Sequence, residues 1–526
     1  MTDGVLVYDT TLRDGMQREG LSLSVAEQVA IAGRIAGFGL HYIEAGFPES
    51  NPKYGELFRA LEREDLGETV VAAFGMTRRR GMAPGDDAAM RGLAECFAPV
   101  TTIVGKTWDL HLEVVTKVSR ADNLAMISES VDFLVREGKD VVYDAEHFFD
   151  AYRAHTDYAL DCLRAAEAAG AAWITPCDTN GATLPSEVTR IMREVRAALP
   201  GAQLGIHTHN DAECGVANSL AAVDEGARMV QGTINGYGER CGNANLVSIM
   251  PSLTLKMGYA TVPEERLVEL TELSNFVAET ANLRPDDWAA YVGRNAFAHK
   301  GGMHVAGMLA DERTFEHIDP ATVGNARTIL PSELSGRGTI VAKAQEMGLT
   351  VEDGAVKGIL GRLKELEHRG YHFEVADASF QLLVEREIGV YQPLFELESF
   401  RVITEKRADG RVETEATVKL FHDGERLVAT AEGNGPVHAL DSALRRALGS
   451  RVPELEEIEL VNFKVRILDE GQGAAATTRV LLDSSDGHDS WGAIGVSENV
   501  IEASWEALLD SIEHGVRRVA VTRSSA

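Results

Sequence analysis

GIHTHND, residues Gly205–Asp211, opens as an apolar strand and closes on polar side chains. Alternate residues of a strand point to the same face, so His207 and His209 present two imidazoles to one point in space. A strand ending in His-x-His is half of a metal site; the blander reading is two polar residues on a solvated strand. Leu204–His207, which leads into it, is one of eight short apolar runs. The others are Val5–Tyr8, Tyr42–Ala45, Val70–Phe74, Thr101–Val104, Val141–Tyr143, Ala172–Thr175 and Met229–Ile234.

Most neighbouring runs are separated by a segment with helical signals. After the first comes Ser24-Val-Ala-Glu27, a capping-box pattern, with Val29, Ala32 and Ala36 on one helical face. After the sixth, Ser186 is placed to cap a helix carrying Val188, Ile191, Met192, Val195 and Leu199 at the 3.6-residue period. Eight such units at roughly 30-residue spacing predict an N-terminal (βα)8 TIM barrel over residues 1–270, with an open doubly wound sheet as the alternative.

Barrels of this kind gather their chemistry at the C-terminal ends of the strands. Here those ends carry Arg13 and Asp14, Glu44, Asp144 and Glu146, Asp178 and Thr179, the two histidines, and Asn235. Asp14, His207 and His209 offer one carboxylate and two imidazoles, a mixed O/N set suited to a divalent ion with open positions: Mg, Mn or Zn. Asn243, in the glycine-rich stretch GTINGYGERCGNANL after the eighth run, is a fourth ligand through its amide oxygen, with Asn235 the competing choice. A metal held there can polarise a 2-oxo acid carbonyl. Arg13 can steady negative charge on that oxygen, Thr179 can donate to a carboxylate, and Glu44 and Glu146 can hold a proton or a hydrogen-bonding group. Glu44 and Glu146 could equally be ion-pair partners of Arg13.

Beyond the barrel, residues 271–385 read as mainly helical linker subdomains, with a Gly-rich loop in Asn295–Met308 carrying His299 and His304, the latter a candidate for proton transfer. Residues 386–521 alternate like strands. Ala416, Val418 and Leu420 precede a hairpin signal at Asp423-Gly424, and a helix follows at Val437–Leu448. Strands at Ile458–Ile467, Thr478–Leu482 and Trp491–Val496 and a helix near Asn499–His514 repeat the plan. The expected architecture is therefore α/β: a barrel, helical linkers and a duplicated C-terminal α+β domain.

Composition bounds the rest. A net charge of −30 argues against nucleic acid or an anionic membrane as partner. No stretch approaches the roughly 20 apolar residues of a membrane helix, and MTDGVLVYDTTLRDG lacks the features of a signal peptide, so a cytoplasmic protein is expected. Five scattered cysteines without C-x-x-C suit reduced thiols. Arg78-Arg79-Arg80 is a basic cluster able to meet phosphates, or simply solvated.

With these motifs assembled, the chain resembles the acyl-CoA condensing enzymes related to 2-isopropylmalate and homocitrate synthases. YDTTLRDGMQ, GIHTHND and GYGERCGNANL are similar to the family's signatures. GKTWDLH, YDAEHFFDAY, CDTNGATLP, AFAHKGGMHV and LPSELSGRGTI look like its citramalate-forming branch. The resemblance implies condensation of acetyl-CoA with pyruvate to citramalate and CoA, in isoleucine biosynthesis. It implies a metal on Asp14, His207, His209 and Asn243. It places Arg13, Glu44 and Thr179 at the oxo acid, with Arg13, Glu146 and His304 catalytic. It further implies a homodimer and a regulatory tail that binds isoleucine. Met16, Ala45 and Phe47 depart from that branch near the rim, and Ala182 replaces a usual glycine. A longer 2-oxo acid is the alternative acceptor. A related lyase, a biotin-dependent carboxyltransferase and a catalytically silent amino-acid sensor are the other readings.

Overall fold

The computed structural model describes residues 4–48 and 50–525. The chain divides into two compact units, the first comprising residues 1–297 and 318–326, the second 298–317 and 327–526.

In the first unit, eight parallel strands close in sequence order into a barrel. They are β1 (Leu6–Asp9), β2 (Tyr42–Gly46), β3 (Val70–Met76), β4 (Val100–Lys106), β5 (Asp140–Glu146), β6 (Trp173–Asp178), β7 (Gly205–Thr208) and β8 (Met229–Gly232). Closure occurs where Tyr8 of β1 lies opposite both Tyr42 of β2 and Gln231 of β8. Each of the eight apolar runs is a strand, and no open sheet edge remains in the ring. Tyr8, Ala72, Val100, Val142 and Met229 pack together as a cluster of their own, while Ile43, Val71, Ile103 and Val141 join the larger core beneath the helices.

The helices start where their caps permit. Ser24 and Glu27 form the reciprocal capping box of the helix Val25–Phe38: Ser24 Oγ accepts from the Glu27 N–H at 3.3 Å, and Glu27 Oε2 from the Ser24 N–H at 2.6 Å. Its Ile31, Ile35 and Phe38 are buried. Each contributes about 1.5–3 kcal/mol by leaving water, and Ile35→Ala would cost about 2–5 kcal/mol. The cap at Ser186 is a correction. The N-cap of the helix Pro185–Ala198 lies two residues earlier, at Leu184, and makes no side-chain cap hydrogen bond. Pro185 has no N–H to satisfy and its fixed φ suits the first helical position, so Ser186 falls inside the first turn.

The second unit holds a two-stranded parallel pair, β9 (Ala298–His299) and β10 (Thr328–Ile329), and two antiparallel sheets of three strands. The first sheet is β11 (Glu396–Lys406), β12 (Val412–His422) and β13 (Glu425–Gly433), followed by the helix Pro436–Leu448. The second is β14 (Glu459–Ile467), β15 (Thr478–Ser485) and β16 (Ser490–Ser497), followed by the helix Val500–Ser525. The duplicated plan is thus three strands and a helix, twice. Asp423 and Gly424 take positive φ (49° and 76°) in the two-residue turn between β12 and β13, as such a hairpin demands. Ala416, Val418 and Leu420 are buried. Sequence alternation does not single out β11, whose residues are exposed apart from the half-buried Phe400 and Val402; a register shift between Leu397 and Ser399 interrupts its pairing.

The stretch expected to be a loop around Gly301-Gly302 also needs correction, since Gly302–Ala310 is a helix. The second of the paired glycines serves packing. A Cβ on Gly302 would lie 2.6 Å from the backbone nitrogen of Gly336. Among the described residues no helix is long and apolar enough to cross a membrane, and no disulfide joins any of the five cysteines.

Candidate active site

The C-terminal rim of the barrel opens into a cavity of about 310 Å3 whose lining includes Arg13, Asp14, Glu146, Thr179, His207 and His209. At its base the Nε2 atoms of His207 and His209 face each other at 3.3 Å. The Asp14 carboxylate oxygen Oδ2 lies 3.5 Å from the first and 3.9 Å from the second. All three side chains are buried. Burial, with the neighbouring His209, pushes the His207 imidazole down to about 3, so it is neutral at neutral pH. Burial alone would raise the Asp14 carboxyl, but the adjacent Arg13 guanidinium and the two imidazoles outweigh it and hold it at about 2. Two imidazole nitrogens and a carboxylate therefore converge at the spacing of a coordination polyhedron with bonds of about 2.1 Å.

Three buried polar atoms here lack any hydrogen-bond partner among the described residues: Asp14 Oδ1, His209 Nδ1 and Asn243 Oδ1. An orphaned carboxylate oxygen and amide oxygen beside two facing imidazoles fit a divalent cation. The choice between the two asparagines is also geometric. Asn235 is occupied with Ser274, donating to its carbonyl at 2.8 Å and accepting from its hydroxyl at 2.6 Å. Asn243 donates its amide N–H to the Tyr237 carbonyl at 3.1 Å, and its backbone pairs with His209. The glycines of the loop allow this approach. A Cβ on Gly242 (φ +97°) would meet the Gly236 carbonyl oxygen at 2.0 Å, and one on Gly238 would meet Asn243 Nδ2 at 2.2 Å.

Arg13 is fixed on three sides. Nε donates to Glu44 Oε1 at 2.5 Å, Nη1 to Asp14 Oδ2 at 3.0 Å, and the guanidinium lies 3.9 Å above the Phe74 ring. Its Nη2 is left without a hydrogen-bond partner among the described residues. Glu44, expected to touch substrate, does not line the cavity. It is 0% exposed and holds Arg13, with Oε2 accepting from the Tyr8 hydroxyl at 3.0 Å. Thr179 lines the cavity. Its Oγ1 accepts the His147 N–H at 2.9 Å, which leaves the hydroxyl proton available, and Arg240 Nη2 clamps its carbonyl at 2.8 Å. Glu146 is ion-paired with Lys106, which also lines the cavity.

His304 and His299 belong to the second unit. His304 is exposed on the helix Gly302–Ala310 and stacks on Phe315 at 4.4 Å. His299 is taken up by Glu316, 3.0 Å away. Of the rim positions where the chain departs from the expected branch, only Phe47 lines the cavity, edge-on to Phe74 at 5.7 Å. Ala45 is buried in the core and Met16 packs against it.

The matches to known proteins fit this geometry. Residues 5–277 match the HMGL-like family. Over 517 residues the chain is 48% identical to an (R)-citramalate synthase of Geobacter sulfurreducens, covering 98% of each chain. It belongs to the HMGL-like family, on its citramalate synthase branch. An (R)-citramalate synthase of Aquifex aeolicus is 47% identical, covering 97% of this chain and 98% of its own. A 2-isopropylmalate synthase of Pyrococcus furiosus is 30% identical over 98% and 100% of the two chains. Residues 291–371 match a homocitrate synthase post-HMGL domain-like family, and residues 374–516 the LeuA allosteric (dimerisation) domain.

Sequence reading passed over Gln231 and gave Lys106 no role at the site. Gln231 accepts at Oε1 from His207 Nδ1 (3.0 Å) and donates through Nε2 to Asp144 Oδ1 (2.8 Å). The available signal was a glutamine in the otherwise apolar strand Met-Val-Gln-Gly. Lys106 ends β4 beside Glu146 at the end of β5, and that register shows only once the barrel is closed.

Proposed function

We propose that the chain condenses acetyl-CoA with pyruvate and hydrolyses the resulting thioester, giving (R)-citramalate and CoA. The observation that carries this reading is a single rim cavity lined by the Asp14–His207–His209 cluster, Arg13, Thr179 and Glu146. Identity of 47–48% to citramalate synthases, against 30% to a 2-isopropylmalate synthase, favours pyruvate over a longer acid. Phe47, Phe74, Met76 and Val104 line the same cavity and suit a small methyl group.

Asp14, His207, His209 and Asn243 would hold a divalent ion, Mg, Mn or Zn, which supplies Lewis-acid polarisation of the ketone when bound. Arg13, fixed by Glu44, donates from Nη2 to the ketone oxygen as it gains charge. Thr179 donates its hydroxyl proton to the oxo-acid carboxylate. The methyl carbon of the thioester loses a proton and bonds to the ketone carbon, and the ketone oxygen gains a proton. Water then breaks the C–S bond and CoA leaves as its thiol. Glu146 assists these proton transfers, and His304 keeps the proton-transfer role that the family resemblance implies for it.

A second cavity of about 620 Å3 shares Phe47, Met76 and Lys106 with the first and adds Arg78, Arg79 and Arg80. It suits the phosphates of CoA, although Arg78 is already paired with Glu129 at 2.6 Å. The LeuA-type domain is the proposed isoleucine site and dimer contact. Val461, Phe463, Val465 and Ile467 of β14 are exposed apolar residues that a second copy would cover.

The test is CoA release with Mg2+ or Mn2+, acetyl-CoA and a panel of 2-oxo acids, products being identified by mass. Release with pyruvate and formation of citramalate is expected. Release only with a longer acid would move the specificity, and silence with every acid would favour a sensor.

A further inference from the structure

A second group of ligating side chains stands on the same rim, outside the cluster described above. His111, Glu146 and His147 bring one nitrogen or oxygen each within 4.8 Å of one another, a spacing that Asp14, His207 and His209 also meet. Three separate features build it. His111 comes from the short helix Asp109–His111 that follows β4, and its ring lies 4.4 Å from that of His147. Trp108 lies 5.6 Å from both rings and flanks the pair.

His147 is held in a left-handed backbone conformation (φ +54°), which is uncommon for a residue other than glycine. In that conformation its N–H donates to Thr179 Oγ1. The third feature lies behind the ring. His147 Nδ1 is 3.2 Å from Asp150 Oδ2, which also accepts from Asn180 Nδ2 at 2.9 Å, and Asp150 Oδ1 accepts from Arg153 at 3.0 Å. A carboxylate on one imidazole nitrogen fixes the proton there and leaves the lone pair of Nε2 facing away from it. Metal-binding histidines are generally supported in this way. The proposed reaction uses Glu146 but neither of these histidines.

We propose that His111, Glu146 and His147 form a second metal site, of a chemistry that takes Zn2+, and that filling it withdraws Glu146 from the reaction. Two imidazoles, one carboxylate and a water make a four-coordinate zinc set, whereas Mg2+ prefers all-oxygen octahedra. The ion has one competitor, the Lys106 ammonium, which is paired with Glu146. Lys106 also lines the larger neighbouring cavity, so its side chain has room to swing aside. The consequence for activity rests on the proposed role of Glu146; the site itself does not.

Equilibrium dialysis of the full chain against Zn2+ tests the site without any assay. Wild type is expected to bind two ions, His111→Ala one, His207→Ala one, and the double variant none. His147→Asn, which tolerates the left-handed backbone, is also expected to bind one, and it guards against a folding defect in His111→Ala. Lys106→Met should tighten the second ion at least threefold. One ion in wild type, or two in both His111→Ala and His147→Asn, would overturn the proposal. In turnover at saturating Mg2+, added Zn2+ should inhibit His111→Ala at least tenfold less potently than wild type. Displacement at the first site acts on both proteins alike. Equal inhibition alongside the expected stoichiometry would refute the withdrawal of Glu146 and leave the site standing.

Discussion

Gln231 Oε1 stands 3.0 Å from His207 Nδ1, and the amide nitrogen of the same side chain donates to Asp144. Because the nitrogen faces the carboxyl, the oxygen faces the imidazole and accepts its proton. His207 is thereby held with Nε2 unprotonated and directed at Asp14 and His209. Gln231→Leu keeps the volume and removes that restraint. Metal affinity should fall about 10–100-fold in calorimetric titration of the apo chain, with the melting temperature little changed. Undiminished affinity would deny Gln231 a positioning role.

Glu44 is buried beneath Arg13 and bonds to it at 2.5 Å. Glu44→Gln should leave metal binding intact, free the guanidinium, and lower kcat more than it raises KM for the oxo acid. Arg13→Gln removes the donor itself, and a loss of about 10²–10³ in kcat is expected. Steady-state kinetics in saturating metal separates the two effects.

The loop that presents Asn243 tolerates no side chain at Gly242, where φ is +97° and the Gly236 carbonyl oxygen would be 2.0 Å from a Cβ. Gly242→Ala should weaken the metal at least tenfold while the far-ultraviolet circular dichroism stays native. Chelation of wild type should abolish turnover, and readdition of Mg2+ or Mn2+ should restore it.

His514, on the last helix, is pushed down to about 4 by burial, from an ordinary 6.5. Its folded value is the lower one, so the unfolded chain binds the proton more readily between those pH values. Stability from this residue is complete above pH 6.5 and is lost as pH falls toward 4, a loss on the order of 3 kcal/mol. His514→Phe should flatten that limb of the melting temperature against pH in chelator-treated protein.

The barrel was legible because its strands are short apolar runs spaced by amphipathic helices, and both periods are written in single residues. The rim cluster was legible for the same reason. Strand ends converge in a closed barrel, so Asp14, His207 and His209 could be placed together without knowing a distance. Other features depended on contacts between distant residues. Glu44 lies in the middle of β2 and Thr179 just past β6, yet only the packed barrel separates a carboxylate buried under Arg13 from a hydroxyl facing the cavity. Gln231 and Lys106 act through partners 87 and 40 positions away, at Asp144 and Glu146. The glycine pair at 301–302 reads as a loop until the backbone of Gly336 is found against it.

Methyl-deuterated acetyl-CoA, supplied with pyruvate and saturating Mg2+, tests the central reaction most directly. Carbon–carbon bond formation at the thioester methyl removes one deuteron, so the product should be citramalate carrying two deuterium atoms, released with one equivalent of CoA. A product retaining three deuterium atoms, or CoA release without citramalate, would contradict the proposed condensation.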